Sequence, residues 1–516
     1  MKKFLLDGNN LTSRDTKEIV DNHFSIGLSN KSKERIKKSR KIIEKWIKEG
    51  KAIYGVTTGF GEFKDIKIPP KDLEKLQRNL LVSHSAGVGE PLPQNIVRLM
   101  LLLRINSLVK GYSGVRLDLI EYLVKMFNLK IIPYIPSQGS VGSSGDLAPL
   151  AHLASFIIGK GYAYIDNKLS SAKEVLKKNK LKPFKLEAKE GLALINGTQM
   201  MTAYAVEIIN RTKILSKLAD VAGALSVEAL KGSDYAFKDE LQKVRPHKGQ
   251  INTADNLRRL LRNSEIRKSH IDCEKVQDAY SLRCIPQVHG AVKDTIDFVS
   301  NTIEIEINSA TDNPLIFPAD TRKGHTEAQH IEGGNFHGEP LALAMDYLKI
   351  ALSELGSISE RRVARLVDGS LSGLPRFLTK EGGLNSGLML AQYTSAALVS
   401  ENKILSHPAS VDSIPTSANQ EDHNSMGSIA ARKCFEVLNN VEKIIAIEFL
   451  CASQGIDFLK PLKCGAGTET AYKLLRKKVK HIDDDVPISE FINSTSDIIF
   501  NHEYLKSIER KIGGLK

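Results

Sequence analysis

Four long stretches in the second half of the chain, roughly Gly290 to Asn308, Pro340 to Asp368, Gly383 to Ser406 and Ser425 to Gln454, repeat apolar residues at helical spacing. Each is much longer than an average globular helix, so the stable way to bury their apolar faces is a bundle of long helices. With 516 residues, the chain can bury a large core, and length alone would suggest several domains. No Pro/Ser-rich linker, low-complexity tract or internal repeat marks such divisions; glycine and proline gather in loops instead. The clearest change of character is the Lys-rich stretch Asp166 to Ala188, after which Gly191 opens helical sequence. The expected fold is mainly α, with a smaller mixed N-terminal domain, residues 1–195, and a long-helix bundle, residues 196–516.

A net charge of +13 raises the question of nucleic-acid binding. In the densest basic block, Lys31 to Lys51, Ile36, Ile42, Ile43, Trp46 and Ile47 recur at helical spacing and leave the lysines and arginines on the other side, with Gly50 as a C-terminal stop. This is a solvated helix face without interleaved exposed aromatics, so no nucleic-acid partner is expected. Charges interrupt the apolar runs, as Glu448 does between Ile444 and Cys451, so none reaches the roughly 18 residues of a membrane span. The apolar stretch after Lys2 and Lys3 is too short for a signal peptide. Five cysteines, Cys273, Cys284, Cys434, Cys451 and Cys464, form no CxxC pair, which fits reduced thiols and a cytoplasmic location.

The segment Ser140 to Leu150 contains Ser143, Ser144 and Gly145 in succession. Attack of the Gly145 amide nitrogen on the carbonyl carbon of residue 143, with loss of water from the ring and from the Ser144 side chain, would give a methylidene-imidazolone. Ser144 would thereby become an electron sink, and Gly145 has no Cβ to block the bent approach. Taken alone, the same residues fit better as a loop capping a helix that begins near Asp146.

Further strings change that balance. They run Tyr54 to Gly61, Asn79 to Gly87, Leu194 to Thr198, Gln277 to Cys284, Gly334 to Pro340 and Ser417 to His423. In this order and spacing the chain resembles, nearly end to end, the ammonia-lyases and aminomutases that act on histidine, phenylalanine and tyrosine through an autocatalytic methylidene-imidazolone. The resemblance implies a homotetrameric lyase fold whose active sites each gather residues from three subunits, with the bundle as the tetramer core. It also implies that Ser143, Ser144 and Gly145 form the electrophile and that no external cofactor or metal is used.

Eliminating ammonia from an α-amino acid requires an electrophile to help the amine leave, a base for the β-proton and an anchor for the carboxylate. By resemblance, Tyr54 is a catalytic base, ahead of a Gly-rich loop able to close over substrate; a tyrosine needs a depressed pKa for that task. Arg283 would hold the substrate carboxylate through paired hydrogen bonds. Gln277 and Tyr280 accompany it as residues that bind substrate or support the electrophile. Asn196 contacts substrate and electrophile, Phe336 packs against the prosthetic group, and Asp146 assists cyclisation. Glu421 is a second candidate for the base, with a helix-terminal carboxylate as its ordinary alternative.

Substrate choice rests on His84 and Glu421. His84 shares a helix face with Leu73, Leu76 and Leu80, so a core histidine is its plain alternative. A site for histidine must nevertheless satisfy two imidazole nitrogens, which a carboxylate and a second imidazole do. In the family that the chain resembles, a His and a Glu at these matched positions look like the histidine-specific pair, so the expected substrate is L-histidine, giving trans-urocanate and ammonia as the first step of histidine degradation. A phenylalanine or tyrosine ammonia-lyase or 2,3-aminomutase is the alternative. His325, Glu327, His330 and His337 could suggest a metal centre, but their spacing is not the zinc-protease signature. The Gly142 to Gly145 loop is one residue short of a serine-hydrolase elbow. Two departures from the family pattern stand out. Ser143 replaces the usual alanine and adds an oxygen that needs a partner, and Ala279 stands where histidine lyases commonly have proline.

Overall fold

The computed structural model describes residues 3–272, 276–320 and 326–516. Helices dominate it, and four of them, Ile285–Ile307, Glu339–Val367, Met389–Leu405 and Gly427–Asp457, answer the four stretches read from the sequence. The third starts six residues later than Gly383. There the Ser386 and Gly387 amides donate to the Asp485 carboxylate at 2.8 Å each and Gly387 takes φ +56°, so the chain turns before it coils. The basic block forms the helix Asn30–Lys48, with Ile36, Ile43 and Trp46 buried, as its periodicity predicts. Helical sequence after the Lys-rich stretch begins with the short Glu190–Ile195 helix and continues as Gln199–Ala229.

Strands are short and few. Lys3–Leu6 pairs in parallel with Ser25–Leu28, Val88–Pro91 runs antiparallel to Pro136–Gln138, and Tyr162–Ile165 lies between Ile132–Pro133 and Lys168–Ser171. Leu315–Phe317 and Gln329–Ile331 make the remaining antiparallel pair among the described residues. None of the described helices is long and apolar enough to cross a membrane.

Where the sequence suggested one division at residue 195, contacts group the chain discontinuously. One unit comprises residues 1–210, 300–346 and 408–432, and the other 211–299, 347–407 and 433–516. The first is built around the Gln94–Val109 helix, in which every residue from Ile96 to Val109 is buried. The second is organised by a buried polar network. Arg362 pairs with Glu448, both fully buried, and Ser226 and Ser359 donate to the same carboxylate at 2.6 Å. Asp220 accepts from His289 at 2.8 Å and pairs with Lys293 at 3.1 Å. Satisfied networks of this kind specify a unique packing of helices that apolar contacts alone would leave degenerate.

Candidate active site

The cyclising loop lies in the first unit and is pinned at both ends. The Met426 amide donates to Val141 O at 2.8 Å, Gly142 O accepts from the Gly338 amide at 2.9 Å and from Ser425 Oγ at 2.8 Å, and Ser428 Oγ donates to Ser140 O at 2.5 Å. Downstream, the Asp146 amide donates to Gly197 O at 2.7 Å. Between these clamps Gly142 and Gly145 adopt left-handed φ angles of +76° and +73°. A Cβ on Gly145 would lie 2.3 Å from Gly197 O, so only glycine fits.

The reacting atoms are less constrained. Among the described residues the Gly145 amide has no hydrogen-bond acceptor and the Ser143 carbonyl no donor, which leaves nucleophile and electrophile uncommitted. Asn196 Nδ2 donates to Ser144 O at 2.8 Å, and Ser144 Oγ donates to Glu421 Oε1 at 2.7 Å. The buried Ser143 Oγ has no partner, which is the difficulty its departure from alanine predicts. These residues fit a methylidene-imidazolone: the glycine cradle and the uncommitted Gly145 amide and Ser143 carbonyl leave the ring closure unobstructed.

Asp146 does not cap the Leu147–Ile157 helix that follows it. Its carboxylate instead accepts from the Met200 and Met201 amides at 2.8 and 3.0 Å, in the first turn of the Gln199–Ala229 helix, and from Ser140 Oγ at 3.2 Å. Complete burial pushes its pKa up to about 7, against the pull of those donors.

Two cavities flank Ser144. One, of about 360 Å³, is lined by Tyr54, Ser143, Ser144, Asn196, Phe336, His337, Glu421 and His423. The other, of about 430 Å³, is lined by Tyr54, Leu80, His84, Leu147, Leu192, Asn196 and Glu421 around Ser144. His84 ends the Leu73–His84 helix, and its Nδ1 pairs with Ser83 Oγ at 3.0 Å while Nε2 has no partner among the described residues. Burial holds its pKa below the ordinary histidine value, so the ring is neutral near pH 7. Glu421 is not at a helix terminus. It bridges Thr416 across the Ser417–Asn419 turn, and Thr416 Oγ1 donates to its Oε2 at 2.8 Å.

Tyr54 departs from expectation. Burial raises its phenol pKa, the negative charges of Glu421 and Glu332 raise it further, and only the Gly61 amide, donating at 3.3 Å, opposes them. Its hydroxyl oxygen accepts from that amide, and the net shift runs away from the depressed pKa that a base would need.

Gln277, Tyr280 and Arg283 belong to the second unit and line neither cavity. Arg283 lies over the Tyr280 ring at 4.6 Å, Tyr280 is 71% exposed, and Ser281 O accepts from Arg362 Nη1 at 3.3 Å. Of the metal alternative, His325 lies outside the described residues, Glu327 is exposed, and His330 meets the edge of Trp46. His337 instead converges with Glu339 and His423, but its Nδ1 accepts from the Glu339 amide at 3.3 Å and its Nε2 donates to His423 O at 3.2 Å, so both ring nitrogens are engaged.

One contributor escaped the sequence reading. Arg104, fully buried, donates from Nη1 to Gln199 Oε1 at 2.8 Å and Thr311 O at 2.9 Å, and from Nη2 to Ala193 O at 2.5 Å. A Cβ on Gly197 would meet its Nη1 at 2.2 Å, so the guanidinium supports the turn carrying Asn196 from beneath. Its signal was a single charge within the apolar run Leu99 to Leu108.

Residues 11–477 match the family model described as aromatic amino acid lyase. The chain belongs to the aromatic amino acid lyase family. It is 53% identical over 501 residues to a histidine ammonia-lyase of Caldanaerobacter subterraneus subsp. tengcongensis, covering 97% of each chain. Among solved structures, this lyase superposes on histidine ammonia-lyase from Trypanosoma cruzi with a TM-score of 0.91 at 44% identity, covering 99% of this chain and 96% of that one. A tyrosine aminomutase from Streptomyces globisporus gives 0.92 at 37% identity over the whole of both chains. The lyase fold therefore does not by itself choose among aromatic substrates.

Proposed function

We propose that the chain is a histidine ammonia-lyase, converting L-histidine to trans-urocanate and ammonia. The observation that carries this reading is the cavity that His84, Glu421 and Ser144 line together. A neutral imidazole and a carboxylate can together satisfy both nitrogens of a substrate imidazole, whereas a phenyl ring would leave them unpaired. The named relatives support the same substrate.

Ser143, Ser144 and Gly145 would hold the prosthetic group as part of the chain itself, and once formed it supplies an electrophile that makes the α-amine a better leaving group. Asn196 keeps the carbonyl of residue 144 fixed through its 2.8 Å hydrogen bond. Glu421 loses its Ser144 hydroxyl partner when that side chain dehydrates, freeing Oε1 for substrate while Thr416 retains Oε2. The β-proton passes to Glu421 or to Tyr54. For Tyr54 to take it, a cation must enter beside the phenol to offset the burial and the two carboxylates that raise its pKa, and the substrate ammonium is such a cation.

We infer a homotetramer with shared sites, in which Gln277, Tyr280 and Arg283 serve a neighbouring subunit. This is supported by the exposed Val276 and Tyr280, 95% and 71% accessible. Exposed Phe298, Ile305, Leu343, Tyr347 and Tyr393 on the long helices offer apolar surface for such assembly. The free cysteines Cys284, Cys451 and Cys464 fit a cytoplasmic enzyme.

The test is the ultraviolet absorbance of urocanate from purified protein given L-histidine, with L-phenylalanine and L-tyrosine in parallel and Ser144→Ala as control. Histidine turnover lost in the variant is expected. Turnover of phenylalanine or tyrosine instead would overturn the assignment of His84 and Glu421.

A further inference from the structure

Arg98 is buried with no counter-ion. Only 5% of it is exposed, it has no hydrogen bond or ion pair among the described residues, and its Nε is sealed from solvent without a partner. Its guanidinium carbon lies over the Phe127 ring, 4.6 Å from the centroid. A cation–π contact offsets only part of the cost of desolvating a guanidinium.

The position makes the omission sharper. Arg98 lies in the first turns of the Gln94–Val109 helix, the end where the macrodipole is positive and repels a cation. No side chain caps that end. Arg98 and Gln94 line a cavity of about 460 Å³, separate from the candidate active site, whose walls carry the carboxylate of Asp166 as well as His23, Lys130 and Lys178. Those three follow or close the helices Ser13–Asp21, Leu117–Asn128 and Ala172–Lys178, where cations complement terminal carbonyls. That explanation is not open to Arg98. Lys178 has Asp166 at 3.6 Å, but this pair is solvent-exposed. The field inside remains positive: beyond the effect of burial, Arg98 and Lys130 push the His23 pKa below its ordinary value, against the pull of Asp21.

We propose that this cavity binds a phosphate-type anion, as inorganic phosphate or a phosphate monoester, with Arg98 and the uncapped helix N-terminus as its principal contacts. A multiply charged tetrahedral oxyanion would give the guanidinium a charge-assisted partner, accept from free amides of the first turn, and draw on Lys130 and Lys178 at longer range.

The test is calorimetric titration of the full chain with inorganic phosphate and, separately, glycerol phosphate, against sodium chloride at matched ionic strength. Saturable binding of at least one phosphate is expected, and whichever binds tighter identifies the source. Arg98→Met keeps the apolar stem against Phe127 and should weaken binding about tenfold or more. Lys130→Gln, at an exposed position that leaves the core untouched, should weaken it severalfold. Absence of saturable binding for both probes, or undiminished binding in Arg98→Met, overturns the proposal. If Arg98→Met does not fold, unchanged affinity in Lys130→Gln overturns it equally.

Discussion

Replacing Ser143 with alanine should leave the lyase at least as stable and no less active. The Ser143 hydroxyl is buried and has no hydrogen-bond partner, and an unsatisfied buried polar group costs about 1–3 kcal/mol. Alanine removes that cost and gives up only the dispersion contacts of one oxygen. Unfolding entropy of about 2.1 cal/mol/K per residue, applied to 516 residues, gives about 1.1 kcal/mol/K, so the melting midpoint should rise by about 1–3 °C if unfolding is a single transition. The comparison is cleanest in a chain that cannot cyclise, with Ser143→Ala/Ser144→Ala set against Ser144→Ala by scanning calorimetry. In the Ser144 background, Ser143→Ala should mature fully, read from the ultraviolet absorbance of the new chromophore and the mass of the tryptic peptide. A fall in the midpoint, or a tenfold loss of histidine turnover, would refute the reasoning, because it would mean that the hydroxyl is used in the working protein.

Gly145→Ala should fail to mature: a left-handed alanine costs about 1–2 kcal/mol, and its Cβ, 2.3 Å from Gly197 O, would prise apart the 2.7 Å hydrogen bond from the Asp146 amide. Chromophore absorbance at the wild-type level would sink that expectation. His84→Leu should lower kcat/KM for L-histidine by about 5- to 150-fold, the equivalent of one imidazole nitrogen left unpaired at 1–3 kcal/mol, and should raise the relative rate on L-phenylalanine; an unchanged ratio of the two rates argues against the His84 contact. The Asp146 carboxyl binds its proton more tightly folded, near pH 7, than unfolded, near 3.8. Its contribution is therefore complete below about pH 4 and is lost as pH rises through about 7, on the order of 4 kcal/mol over the interval. Asp146→Asn should flatten that decline, and melting curves from pH 4 to 8 that keep the wild-type slope would contradict it.

The long helices and the basic helix were readable because each has one wet and one dry face, so the apolar period survives in the sequence. The Gln94–Val109 helix has no wet face: everything from Ile96 onward is buried, and neither Arg98 nor Arg104 could be placed from a pattern that points nowhere. The loop order brought out Ser143, Ser144 and Gly145, and with them His84 and Glu421, as candidates, since those residues recur in family strings. Asp146 was legible as a helix-capping residue but not as the cap of another helix, because a hydrogen bond spanning residues 146 to 200 leaves no local trace. The direction of the Tyr54 shift was equally hidden; it is set first by burial, to which Glu421 and Glu332, far away along the chain, add.

The anchors of the reactive loop come from widely separated parts of the translation product, with Gly197, Met200, Gly338 and Met426 each holding an atom of it. On the proposed function, the electrophile would be assembled by the same event that completes the fold, and a chain in which these anchors have not met would carry two unreacted serines in its place.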